Sequence, residues 1–422
     1  MNHKEDDGLI TPVHKSLRIL LITHFYPPEM GGAATRMRGM GYWLSQYGHR
    51  VTVLTGFPNY PSGVIDKQYA GKIFSRESFE GVEVIRSWVY ATPHSRDTGR
   101  LLNYFSFVLS SILAGSFCRG KIDVVIVSSP PLFLGLSGLF ISWLRRAPFV
   151  LDIRDLWPDV GVEAGVFKEN DIRVRLSRRL ASLLYRKADH LVPVTERKRE
   201  KLIASGISPN RVSVVPNGVD LDRMPVSDGN EWRTRLLGEA SFLVTYTGLL
   251  GLAQGLGVVV EAATLLKENR NVKFVIVGAG VERNLLVEKA QQAGLSNILF
   301  LESQPRETVL AILKASDIAL VPLVSDSVDD AIPSKLMEAW ACRKPVLLVA
   351  GGEAASLVRE ANGGIVVPPK TPSALATAVA GMASDNGLLR SYGENGFAYV
   401  QSHLNHKDLA KQLEQVLLNV AR

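Results

Sequence analysis

The sequence predicts an α/β protein of two tandem doubly wound domains, each a parallel sheet covered by helices on both faces. Three observations carry that expectation. Short β-branched runs alternate with stretches of helical periodicity along almost the whole chain. The runs are apolar throughout rather than alternating, as strands buried on both faces must be. The pattern lapses near Asp220–Gly229 and then restarts, and 422 residues suffice for two cores.

In the first half the strands are expected at Arg18–Thr23, Val51–Thr55, Val82–Arg86, Val124–Ser128, Phe149–Ile153, His190–Val194 and Val212–Val215. Helices are expected at Thr35–Tyr47, Asn103–Phe117 and Ile172–Lys187. In the second half the strand runs are Phe242–Tyr246, Val272–Val277, Ile298–Leu301, Ile318–Val321, Val346–Val349 and Ile365–Val367. Helical periodicity covers Gly255–Lys267, Glu282–Gln292 and Lys335–Ala341, and returns at Gly387–Gln401 and Asp408–Val420. The division reads as a flexible leader over 1–16, one domain over 17–220, a second over 221–400, and a C-terminal helix over 401–422 that packs back toward the first domain.

Composition narrows the function. Apolar residues make up 46% and charged residues 21%, an ordinary globular balance. Cys118 and Cys342 provide neither a disulfide framework nor a metal knuckle, which suits a reducing cytoplasm. The polar leader lacks the apolar segment of a signal peptide. The longest apolar stretch, Pro131 to Leu144, is too short to span a bilayer. Residues 1–211 hold 29 Lys/Arg against 19 Asp/Glu, residues 212–422 hold 19 against 22. The basic first half therefore suits an anionic membrane surface. Nucleic acid is not expected, because no helix-turn-helix, RRM or zinc spacing is present.

Ligands of open parallel sheets sit beyond the carboxyl ends of the strands. Three unusual segments lie there in the second half: Pro216-Asn217-Gly218-Val219-Asp220, Val277-Gly278-Ala279-Gly280, and Asp330-Ala331-Ile332-Pro333-Ser334-Lys335-Leu336-Met337-Glu338. With Ala315-Ser316-Asp317, Glu338-Ala339-Trp340-Ala341 and Lys344-Pro345-Val346 in this order, the chain resembles the GT-B retaining glycosyltransferases of the family-4 type. The resemblance runs from about Leu17 to the C-terminus. It implies two Rossmann-like domains facing a central cleft, a nucleotide-sugar donor on the second and an acceptor on the first.

The residues support a donor site by themselves. A helix starting near Pro333 presents free N–H groups and a positive dipole end, suited to a diphosphate. Ser334 and Lys335 add a hydroxyl and a cation. Glu338, one turn further in, suits two ribose hydroxyls. Taken alone, Asp330 and Ser334 could equally cap a helix, with Glu338 a solvated surface residue. The resemblance implies that Asp330 and Glu338 are the family's acidic pair, Asp330 holding the transferred sugar; the family has Glu at the first position. It also implies donor contacts at Gly31, Gly32, Gly248 and Gly278, and at Ser303 and Gln304 near the base. Where the family has a diphosphate-gripping Arg and Lys, this chain has Leu249 and Gln254. Lys335, the Gly248 amide and the helix end are then the expected grip. Val277-Gly278-Ala279-Gly280 is no dinucleotide fingerprint, since Arg283 stands at the third glycine position.

On the first domain, His24-Phe25-Tyr26-Pro27-Pro28-Glu29-Met30-Gly31-Gly32 follows the first strand, and its paired glycines permit close backbone approach. Asn59 and Tyr60, between prolines, are acceptor-side candidates. Asp152-Ile153-Arg154-Asp155-Leu156-Trp157-Pro158 ends a strand where a catalytic loop belongs. Asp155 is the candidate general base and Arg154 a phosphate ligand; an internal Arg–Asp pair capping the next helix fits equally well.

Leu101–Phe117 and Leu132–Trp143 are apolar with aromatics, and Arg173–Arg199 holds nine Arg/Lys. This mix suits either a peripheral enzyme on the inner face of the cytoplasmic membrane, receiving a polyprenyl-diphosphate-linked acceptor, or plain core helices beside a basic surface. No metal or other cofactor is expected; Asp220-Leu221-Asp222 has metal-like spacing but lies within the Asn-Gly-Val-Asp run. The nearest resemblance, through Thr55-Gly56-Phe57-Pro58-Asn59-Tyr60-Pro61 and Arg154-Asp155-Leu156-Trp157-Pro158, is to WbuB-like L-fucosamine (L-FucNAc) transferases of O-antigen clusters. It implies a UDP-N-acetyl sugar donor. A UDP-sugar 2-epimerase on the same fold and a catalytically silent donor-binding subunit are the alternatives.

Overall fold

The computed structural model describes residues 15–29, 31–60, 62–93, 97–163, 165, 167–224, 229–324 and 329–421. Positions 1–14 of the expected leader, Met30 and Pro61 lie outside the described residues. Two sheets organise the chain. The first is built from β1 (Arg18–Ile22), β2 (Arg50–Gly56), β3 (Phe74–Phe79), β4 (Val82–Ser87), β5 (Val124–Ser129), β6 (Phe149–Ile153) and β7 (His190–Pro193), in the order β3-β4-β2-β1-β5-β6-β7. The second is built from β8 (Phe242–Thr247), β9 (Val272–Val277), β10 (Ile298–Leu301), β11 (Ile318–Pro322), β12 (Val346–Val349) and β13 (Gly364–Val367), in the order β10-β9-β8-β11-β12-β13. All pairings are parallel except that of β3 with β4.

Both are doubly wound α/β sheets of the Rossmann type, with strand order reversing between β1 and β5 and between β8 and β11. The inner strands β5, β6, β8 and β11 are buried at every position, so their lack of alternation is the signature of cover on both faces. Leu20, Val127, Phe149 and Leu151 fill one layer of the first domain; Val244, Phe274, Leu347 and Val349 fill one layer of the second.

Two strand expectations need correction. β3 escapes sequence reading because its residues alternate exposed and half-buried and it lies at the sheet edge. It joins β4 through Glu80-Gly81, both at positive φ, the tight two-residue turn of a hairpin. Val212–Val215 is not a ladder strand: it keeps one bridge to Leu191 and two N–H bonds to β7. Pro216, without an N–H, cannot extend the pairing.

The chain leaves the first domain at Val219 and returns beside it. The Val219 N–H donates to the Leu404 carbonyl at 2.9 Å, and the His406 N–H to the Val219 carbonyl at 2.9 Å. The helix His406–Val420 then packs Leu409, Ala410, Leu413 and Leu417 against Met37, Met40 and Leu44 of the helix Gly32–Gln46. His49 fastens it. The Leu17 N–H donates to His49 Nδ1, so the ring proton sits on Nε2 and donates to Glu414 at 2.9 Å.

That packing generates a test. Leu413→Ala removes a buried side chain from this layer and is expected to cost about 2–5 kcal/mol. Hydrogen exchange should quicken in the helix Gly32–Gln46 and stay unchanged in β8 and β11. Equal loosening of both sheets would contradict the assignment of this helix to the first core.

Candidate functional site

The site is centred on the switch point of the second sheet, where β8 and β11 end side by side. The helix Ser334–Ala341 starts there. Leu336, Met337, Ala339 and Trp340 bury its inner face, and Trp340 Nε1 donates to the Gly363 carbonyl at 2.8 Å. Its opening end is left bare: Pro333 stands at the N-cap, with no side-chain cap bond and no acidic residue in the first turn. The free N–H groups therefore keep their positive potential.

Four sequence-selected residues, Gly248, Lys335, Gly32 and Ser334, meet at that end. Gly248, at φ 141°, follows β8, and a Cβ on it would fall 2.1 Å from Lys335 Cε. Only glycine lets Lys335 lie there, with its ammonium 5.4 Å from the centre of the Tyr246 ring. Burial lowers the Lys335 pKa, while Glu338 opposes that shift. Across the cleft, a Cβ on Gly32 would stand 3.6 Å from Ser334 Oγ, and one on Gly31 would meet nothing within 4 Å. Gly31 also precedes the 15-residue helix Gly32–Gln46, which likewise lacks a side-chain cap. Two uncapped helix ends from different domains thus face one small space.

Glu338 lies on the same helix, and burial raises its pKa against the pull of Arg306 and Lys335. Ser303 is exposed and Gln304 half-buried in the loop after β10, where Gln304 donates to the Glu302 carbonyl at 3.2 Å. Gly278 and Gly280 have a packing explanation. A Cβ on Gly278 would lie 1.8 Å from the Gly248 carbonyl oxygen, and one on Gly280 would lie 2.1 Å from that of Leu250. The loop after β9 thus backs directly against the loop after β8. Leu249 is 52% exposed, and Gln254 Oε1 accepts the Gly251 N–H at 3.2 Å, closing its own turn.

Asp330 is buried and turned toward the first domain. Its carboxylate meets Lys198 at 2.9 Å and Lys201 at 2.8 Å. Burial raises its pKa, but the two lysines outweigh that and hold it below the usual carboxylate range. Sequence reasoning did not find Lys198. It stood within a basic run whose members looked alike, and only the fold separates the buried lysine from its exposed neighbours. A cavity of about 360 Å³ opens beside this contact, lined in part by Trp157, Tyr185, Arg178 and Lys201.

On the acceptor side the structure joins residues far apart in sequence. The Asn59 and Tyr60 N–H groups both donate to Glu29 Oε1, at 3.0 and 2.9 Å. Asn103 donates to the Tyr90 carbonyl and to Asn59 Oδ1, so its own oxygen must accept from His24 Nε2 at 2.8 Å. His24 Nδ1 is buried without a partner. Burial lowers the His24 pKa to about 4, Asn103 opposing and Arg154 adding to the shift, so the ring is neutral. Arg154 donates to Ser128 Oγ at 3.1 Å and to the Pro130 carbonyl at 2.6 Å, bracing the ends of β5 and β6. Asp155 is half-buried and its carboxylate accepts no hydrogen bond among the described residues. Of the two readings of this pair, the internal Arg154–Asp155 cap is not formed: Arg154 props the neighbouring strand instead. Glu29, His24 and Asn103 were missed as site residues because their roles arise only when three strand ends meet.

Comparison with known proteins agrees with this geometry. Residues 31–218 match the glycosyl transferase 4-like domain, and residues 230–399 match the glycosyl transferases group 1. The putative colanic acid biosynthesis glycosyl transferase WcaI of Escherichia coli K12 is 29% identical over 330 residues, covering 76% of this chain and 80% of that protein. The probable glycosyltransferase WbjE of Pseudomonas aeruginosa is 28% identical, covering 64% and 68%. Among solved structures, sucrose-phosphate synthase from Thermosynechococcus elongatus superimposes with a TM-score of 0.77 at 20% identity, covering 96% of this chain and 99% of that one. Anabaena HepE in complex with UDP and glucose superimposes with a TM-score of 0.72 at 18% identity, covering 96% and 100%. Two paired sheets, a bare helix end at the switch point and both matched domains in order make this chain a GT-B glycosyltransferase of the family-4 type.

Proposed function

We propose that the protein is a retaining transferase that moves an N-acetylated deoxyhexose, such as L-FucNAc, from a UDP-sugar to a lipid-linked oligosaccharide during bacterial surface-polysaccharide synthesis. The observation that carries this reading is the convergence of two uncapped helix ends, at Gly32 and Ser334, with Lys335 at the tip of β8. Such a space suits a diphosphate even though Leu249 and Gln254 replace the usual cations. HepE is solved in complex with UDP on the same fold, and WcaI is named for colanic acid biosynthesis, which supports the donor class and the setting.

In the proposed reaction the bond from the sugar C1 to the diphosphate oxygen breaks and one from C1 to the acceptor oxygen forms on the same face. The departing charge is taken up by Lys335 and the two helix ends; the Gly248 amide expected to share it donates to the Val277 carbonyl at 2.9 Å. The acceptor proton passes to the leaving phosphate or to Asp155. Glu338 receives the ribose hydroxyls, Ser303 and Gln304 flank the base, and Asn59, Tyr60 and Arg154 shape the acceptor side. Leu249 and Gln254 keep a silent donor-binding subunit as the second reading; UDP binding without transfer to any lipid-linked acceptor would favour it.

The acceptor implies a membrane surface, and the exposed residues suit one. Leu101, Phe105, Leu109 and Leu113 form an outward stripe at four-residue spacing on the helix Asp97–Ser116, while Phe107 and Ser111 face inward. Phe117 and Trp143 are more than 70% exposed nearby. The helix Ile172–Lys187 adds exposed Arg175 and Arg179 beside Leu176 and Leu183. No helix of the described residues is long and apolar enough to cross a membrane.

Two outcomes are expected. Lys335→Ala weakens UDP binding roughly tenfold or more, as loss of a charged hydrogen bond predicts. The wild type also takes up protons on binding UDP at alkaline pH. Burial depresses the Lys335 pKa below 10.5, the diphosphate restores it, and the ammonium refills between the two values. Calorimetry in buffers of different ionisation heat reads both effects; neutral Lys335→Ala with no proton uptake would refute the grip. In a flotation assay, vesicles containing anionic lipid bind the wild type. The Arg175→Glu/Arg179→Glu variant loses about fivefold per arginine, and Leu109→Glu/Phe117→Glu releases the protein. Retention of both variants would contradict the membrane face.

A further inference from the structure

Lys198 has no part in the donor and acceptor contacts proposed above. It lies in the helix Glu196–Ala204 of the first domain, and its side chain is 1% exposed. An ammonium removed from water needs a counter-charge. Among the described residues its only ion-pair partner is Asp330, from the other domain, at 2.9 Å. The same ammonium also donates to the Asp330 backbone carbonyl, as does Thr195 Oγ1 at 3.1 Å.

Neighbouring contacts follow the same line. Lys201 reaches Asp330 at 2.8 Å and Asp329 at 3.2 Å, and Arg197 pairs with Asp329. From the second domain, Glu353 accepts the Glu196 N–H at 2.8 Å, at the start of the lysine-bearing helix, where Thr195 caps the Lys198 N–H. These outer pairs are partly solvated and worth little each. The Lys198 pair differs because both partners are buried, so it exists only while the two domains are together. Four residues beyond Asp330, the chain enters the helix Ser334–Ala341.

We propose that Lys198 is a positioning residue that couples domain closure to assembly of the donor site, by fixing through Asp330 the loop that leads into the phosphate-facing end of the helix Ser334–Ala341. The inference rests on the reading of that helix end as a diphosphate site. A buried ion pair is a poor device for stability alone, since apolar residues fill such space as well. Its value here is conditional: it forms only across the closed cleft, and it holds a backbone carbonyl as well as a carboxylate. Opening the cleft exposes Lys198 to water and frees the loop.

The experiment uses the full chain and UDP as probe, with calorimetry for affinity and small-angle X-ray scattering, with and without UDP, for closure. Lys198→Met is expected to weaken UDP ~tenfold and to raise the radius of gyration of the UDP-bound protein. Lys198→Arg recovers most of both. Asp330→Asn reproduces the loss, and the double variant Lys198→Met/Asp330→Asn is no weaker than either alone. Should Lys198→Met not fold, Asp330→Asn, with nearly the same shape, carries the test. UDP affinity and dimensions equal to wild type in Lys198→Met would overturn the coupling. If Lys335→Ala is neutral toward UDP, the diphosphate reading fails and the coupling to a donor site fails with it. If Lys335→Ala weakens UDP while Lys198→Met does not, only the coupling fails.

Discussion

The organising constraint is a set of unsatisfied backbone N–H groups at the start of the helix Ser334–Ala341. A helix must leave its first N–H groups without internal partners, and most helices cover them with a Ser, Thr, Asp or Asn side chain. Here Pro333 occupies the capping position and provides none. The helix cannot move away to find water freely, because Trp340 and Leu336 anchor it in the second core. The bare end is thus held at the switch point, where Gly248 and Gly32 come close to it. Positive potential fixed in place by packing costs no reorganisation when an anion arrives.

The glycines around the site fall into two groups. Gly248 makes room for a side chain of the helix end, Lys335, whereas a Cβ on Gly32 would stand in ordinary contact with Ser334 Oγ at 3.6 Å. Gly278 and Gly280 make room for backbone: the carbonyls of Gly248 and Leu250 fill the positions their side chains would take. The second pair shapes the site from behind by locking the loop after β9 to the loop after β8, with the Leu250 N–H bonded to the Ala279 carbonyl at 2.9 Å. A glycine-rich turn in sequence cannot distinguish these cases, since both demand the absence of a Cβ.

Strand positions were legible wherever burial on both faces made the sequence continuously apolar, as in Val124–Ser129 and Phe242–Thr247. Phe74–Phe79 was not, because an edge strand answers to solvent on one side and needs no such run. In the site, residues acting through their own local geometry were legible: the Pro333-Ser334-Lys335 helix start and the Gly31-Gly32 pair. Those acting through partners were not. His24 gains its defined tautomer from Asn103, 79 residues away, and Asn103 in turn is oriented by Tyr90 and Asn59. Arg154 was legible as a site residue, but its bonds to Ser128 and Pro130 depend on β5 lying beside β6. No short-range pattern encodes a neighbour that arrives by a crossover.

The departure at Leu249 and Gln254 follows from the same physics. An arginine and a lysine grip a diphosphate by direct charge, and such a grip works whether or not the cleft is closed. Here the loop after β8 spends Gln254 on closing its own turn and leaves Leu249 exposed. The remaining positive potential comes from one partly buried lysine and from helix ends on both sides. Helix-end potentials fade within about a turn, so the end at Gly32 acts on a ligand at Ser334 only at the short separation observed. On the proposed reading of a diphosphate site, replacing mobile cations by fixed dipoles moves the control of anion binding from the second domain alone to the contact between the two.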